Sequence, residues 1–116
     1  MTLRRLKTYA GSQGYVYQYY FVGKRNAAAS EGNEYIFDVT SDRKLTYAVS
    51  ILFPLQVATE WAASHGRFLS NSEQYAAVKM RLFRGFDEVE DMQAQGRVLQ
   101  IDLQSLEESL SSLGVE

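Results

Sequence analysis

The chain has 116 residues, 46% of them hydrophobic and 22% charged, with a net charge of −2. This is an ordinary globular composition, sufficient for one core in a single domain over residues 1–116 without disulfide or metal support. With no cysteine, disulfides, thiolate metal sites and cysteine nucleophiles are excluded, and the composition fits a cytoplasmic setting.

The small net charge hides a polarity. Residues 1–29 carry five cations (Arg4, Arg5, Lys7, Lys24, Arg25) and no acid, whereas residues 87–116 carry eight acids against Arg97 alone. Such a split steers partners or lets copies of the chain attract one another. The basic start is not followed by an apolar stretch of signal-peptide length, and the run over residues 48–58 is broken by Pro54, so neither a secretory signal nor a membrane association is expected.

Residues 1–10 read as a short edge strand, followed by a reversal at 11–14, where two glycines supply the backbone freedom a turn needs. Residues 15–22 (YVYQYYFV) are a strand by their density of aromatic and β-branched side chains, with Tyr15, Tyr17, Tyr19 and Phe21 on one face. The polar, unpatterned residues 23–33 are expected to be a mobile connection. Residues 34–40 and 45–53 then alternate as two strands around a turn at 41–44, which reads as a β-hairpin. Leu45, Tyr47, Val49, Ile51 and Phe53 give the second strand one large apolar face opposite a small one, as suits a central strand covered by helices on its bulky side.

Pro54 ends that strand and opens a helix to His65, with Leu55, Ala58, Trp61 and Ala62 inward and Gly66 as terminator. Ser70 and Glu73 form a capping-box pattern for a second helix, whose stripe of Tyr75, Val78, Leu82, Phe86 and Val89 lies across the sheet. Gly85 interrupts this stripe and predicts close backbone packing or a bend. Residues 98–103 alternate as a last strand, and Ser105 with Glu108 repeats the capping pattern ahead of a short helix carrying Leu106, Leu110 and Leu113. That helix is too short to stand alone, so its leucines must dock on the same chain or on another copy. The expected fold is α+β: an antiparallel β-meander packed against two helices, with a C-terminal strand and short helix.

Catalytic machinery is sparse. His65, the single histidine, has no sequence-local carboxylate or nucleophile and reads as a helix-terminal residue. Asp87, Glu90 and Asp91 share a helix side but lack the loop that concentrates ligands around a hard cation, so neither metal nor cofactor is expected. Gly11 to Gly14 has the GxxG form of a backbone-clamping loop, yet leads into a strand and contains no basic residue. The chemically specific constellation is Tyr15, Tyr17 and Tyr19 beside Arg4, Arg5, Lys24 and Arg25. These residues suit either a protein interface or, as the alternative, stacking and phosphate contacts with single-stranded nucleic acid. A third reading places a small molecule between sheet and helices, against Trp61. The sequence thus favours a non-enzymatic protein-interaction or self-associating module, a homodimer using either the tyrosine strand or Leu106, Leu110 and Leu113.

Overall fold

Alternating large and small side chains place five strands in one sheet, and a computed structural model, which describes residues 6–27 and 31–115, shows how they are ordered. The strands are β1 (Lys7–Ala10), β2 (Val16–Asn26), β3 (Gly32–Thr40), β4 (Tyr47–Pro54) and β5 (Val98–Gln100). Their spatial order follows the chain, antiparallel from β1 to β4, with β5 added parallel to β4. Helices α1 (Leu55–His65), α2 (Asn71–Glu88) and the single turn α3 (Met92–Gln95) form the crossover to β5, and α4 (Leu103–Ser112) follows it. The protein is α+β, a mostly antiparallel sheet covered by helices on one face.

That covered face is built from the bulky positions. Tyr17, Tyr19, Tyr35, Phe37, Val39, Tyr47, Val49, Ile51 and Phe53 are all buried there, with Trp61, Val78, Leu82 and Phe86 above them. Tyr17 stacks on Phe86 at 4.2 Å between ring centroids, and Tyr19 meets Phe83 edge-on at 5.6 Å, so α2 is keyed to β2 by aromatic pairs. Asp87 ties the far end of α2 to β1, accepting from the Tyr9 hydroxyl at 2.8 Å and from the Ser12 amide at 2.9 Å. Gly85 is the close approach the sequence suggests: a Cβ there would lie 2.7 Å from Leu99 Cδ1, and its absence lets β5 seat against α2.

Several boundaries move. β2 does not stop at Val22 but runs on to Asn26 through a bulge, the register passing from Phe21 opposite Phe37 to Gly23 opposite Ile36. The polar segment expected to be a mobile connection is therefore strand as far as Asn26, because ladder bonds to β3 and the 2.8 Å Arg25–Glu34 ion pair hold it. β4 begins at Tyr47 rather than Leu45, since Asp42 accepts hydrogen bonds from the Lys44 and Leu45 amides and lengthens the turn. Leu55 is exposed at the head of α1 instead of facing inward. The last helix starts one turn early: Asp102 is its N-cap and Ser105 the reciprocating third residue, so Glu108 plays no part in the box. Carboxylate and hydroxyl cap about equally well, and the earlier start turns Leu106 and Leu110 onto the core.

Candidate functional site

Strand alternation that buries one face of a sheet presents the other, and among the described residues no helix lies on it. Ala10, Val16, Gln18, Tyr20, Ile36, Asp38, Ala48, Ser50, Leu52, Val98 and Gln100 occupy this open face by register. Its apolar members run across all the central strands, with Val16 50% and Val98 62% exposed at the two sides and Ile36 and Leu52 half-buried between them. Two polar ties fix its side chains. Tyr20 donates to Asp38 Oδ2 across the β2–β3 pair at 2.6 Å. Further along the same strand pair, Arg25 donates to Glu34 at 2.8 Å, and that bond, with a further one from Ser50, holds the Glu34 carboxyl below its ordinary range. The face is thus mixed: Ser50 stands between Ile36 and Val98, Leu52 lies between Glu34 and Gln100, and its two acids are hydrogen-bonded within it.

At one end of the sheet a cleft of about 450 Å³ opens between the start of β2, the β3–β4 turn and the segment around α3. Tyr15, Tyr17, Ser41, Glu90, Asp91 and Gln95 line it. The buried Tyr47 hydroxyl lies close by, without a partner in bonding geometry among the described residues. Burial pushes this phenol up to about 12, opposed by the nearby Ser41 side chain. Asp91 caps α3 by accepting from the Ala94 amide at 3.1 Å. The cleft is acidic, so a phosphate backbone approaching Tyr15 there meets two carboxylates.

The structure separates the residues that the sequence groups together. Tyr17 and Tyr19 are 2% and 4% exposed, sandwiched against Phe86 and Phe83, and offer no ring face to a base or a partner. Tyr15 is exposed in the acidic cleft. Lys24 and Arg25 stand at the opposite end of β2, Lys24 over the Tyr35 ring and Arg25 engaged by Glu34. Arg4 and Arg5 lie outside the described residues. Leu106 and Leu110 are 1% exposed within their own chain, while Leu113 is exposed beyond them, so the three leucines form no shared interface. They are core because β5 and α4 complete the same chain's sheet and helical layer.

Trp61 is wholly enclosed, and the clefts lined by Tyr15 and Asp91, by Tyr75 and Lys79, by Ala62 and Phe68, and by Val16 and Asp42 do not include it. His65 has a partner that sequence proximity could not show: its Nε2 lies 3.0 Å from Glu107 of α4, and its ring stacks on Trp61 at 4.1 Å. This arrangement clasps α1 to α4. Asp87 and Asp91 are drawn into separate structural bonds, and among the described residues no three histidine or acidic side chains converge as metal ligands. No helix among the described residues is long and apolar enough to cross a membrane. No protein-family model, curated protein or solved structure matches the chain.

Proposed function

We propose that the protein is a non-enzymatic interaction module that pairs with a second copy of itself through the open face of its sheet. The carrying observation is that five strands are layered on one side only, leaving Val16, Ile36, Leu52 and Val98 in one plane on the other. Strands spaced about 4.8 Å apart and rising about 3.4 Å per residue give this face on the order of 500–600 Å² of flat area. Two such faces bury ~1,000–1,200 Å² together, the lower bound of specific interfaces. Stacking two sheets is also the ordinary way to finish an uncovered apolar sheet surface. The Arg25–Glu34 ion pair supports the reading because it offsets two charges before association, and the Tyr20 hydroxyl satisfies one Asp38 oxygen without removing its charge.

This reading keeps the tyrosine strand as the interface while reversing which of its faces is used. The nucleic-acid alternative has less support, since Tyr17 and Tyr19 are enclosed and Lys24 and Arg25 lie at the other end of β2 from the exposed Tyr15. Native mass spectrometry of the unmodified protein tests the proposal. A dimer without added mass supports it, and a monomer at micromolar concentration contradicts it.

A further inference from the structure

On the opposite side of the molecule α2 presents two parallel rows at helical spacing, Tyr75–Lys79–Phe83 and Ser72–Ala76–Met80, and with Leu113 they line an open groove of about 270 Å³. Lys79 is its cation, with Nζ 5.8 Å from the Tyr75 ring centroid and 6.0 Å from that of Phe83. Lys7 stands beside it. On edge strand β1 it pairs with Tyr19, on the face that α2 covers, and Tyr19 in turn meets Phe83 edge-on. Burial first, and then the Lys7 ammonium, hold Lys79 below the ordinary lysine range. Among the described residues neither lysine forms an ion pair with a carboxylate.

Two ammonium groups side by side at an apolar groove repel one another until an anion is shared between them. We infer that Lys7 and Lys79 hold the carboxylate of a small amphipathic acid whose apolar body lies along Tyr75, Ala76, Met80, Phe83 and Leu113. The walls decide the ligand class. A bare inorganic anion would leave the aromatic and aliphatic lining unused, and the site offers no guanidinium fork or free helix N-terminus of the kind that selects phosphate. A groove at the small end of the usual ~300–1,000 Å³ range takes a body of about ten non-hydrogen atoms. The site is independent of the proposed dimer, because α2 covers the face of the sheet opposite the one used there.

Titration of the full chain with octanoate, followed by amide chemical shifts in ¹H–¹⁵N NMR spectra, tests this. The result expected is saturable shifts at Lys79, Met80, Phe83 and Leu113. The neutral octanamide should bind about tenfold more weakly, the loss of one charge-assisted contact. Lys7→Gln with Lys79→Gln should abolish the octanoate preference, and Ala76→Trp should block binding by filling the groove while leaving both charges in place. Absence of saturable shifts in the wild-type chain overturns the inference. So does equal binding of octanamide, stronger binding of inorganic phosphate than of octanoate, or an undiminished response in the folded Ala76→Trp variant.

Discussion

Gly32 is where a single methyl group should cost most relative to its size. It opens β3 opposite Pro54, at the point where β4 gives way to α1, and has φ of 134°, a conformation L side chains rarely adopt. A Cβ on it would stand 2.4 Å from the Phe53 carbonyl oxygen, 2.8 Å from the Leu55 nitrogen and 2.9 Å from the Pro54 Cα. All three are backbone atoms, so no rotamer change relieves the contact. Either β3 and β4 separate at this end, breaking the 3.0 Å bond from the Leu55 amide to the Glu31 carbonyl, or Gly32 leaves its conformation. Strain of this kind costs about 1–3 kcal/mol and one lost backbone bond about 1 kcal/mol more. Gly32→Ala should therefore destabilise by about 2–4 kcal/mol, lowering Tm by roughly 10–15 °C in a domain of this size. Gly23→Ala, in the same sheet but with no atom near its added methyl, is the control and should stay within about 0.5 kcal/mol. Thermal and urea unfolding followed by circular dichroism measure both. A Gly32→Ala protein as stable as the parent would refute the reasoning.

Two further perturbations have defined signs. Tyr47→Phe should leave stability unchanged or raise it by up to about 1 kcal/mol, because its buried hydroxyl has no partner in bonding geometry among the described residues, and the same variant should remove the phenol that ionises last in an alkaline absorbance titration. A loss above about 1 kcal/mol would mean that the hydroxyl is hydrogen-bonded in solution. Glu73 is held down to about 2 by the Arg67 guanidinium and then by the Ser70 amide, against an ordinary value of 4.5. A carboxyl whose folded pKa is depressed contributes stability that is present above its unfolded pKa and lost as pH falls toward the folded one. Urea midpoints should thus fall between pH 4.5 and 2 with a component that Glu73→Gln removes; an unaltered acid profile in that variant would contradict the pairing.

The elements legible in the sequence were those specified by local chemistry. The Ser70–Glu73 box caps α2 as its spacing indicates, Gly66 ends α1 in a left-handed conformation, and the large face of residues 47–53 is the face the helices cover. The C-terminal strand was legible too, but its neighbour was not, since side-chain alternation says nothing about which ladder a strand joins. Only the crossover through three helices sets β5 parallel to β4. The extension of β2 to Asn26 was hidden because pairing to β3, not propensity, makes Gly23, Lys24, Arg25 and Asn26 extended. For the candidate site the difficulty was one of parity. Residues 15–22 carry bulk on both faces, and the more aromatic side, Tyr17 and Tyr19, proved to be core, while Val16, Gln18 and Tyr20 took the open side. His65 and Glu107 are 42 residues apart, and Lys7 and Lys79 are further apart still, so neither meeting left a local signature.

The most direct test of self-association through the open sheet face is sedimentation velocity of the wild-type chain, Ile36→Lys and Phe68→Ser side by side, with circular dichroism confirming that each is folded. Ile36 lies at the centre of the open face, whereas Phe68, 76% exposed after α1, is the most exposed large apolar residue on the helical side. A dimer for the wild-type and Phe68→Ser chains with a folded Ile36→Lys monomer is the result expected. A dimer that survives Ile36→Lys, or one that Phe68→Ser dissolves, would place the contact on the helical layer and contradict it.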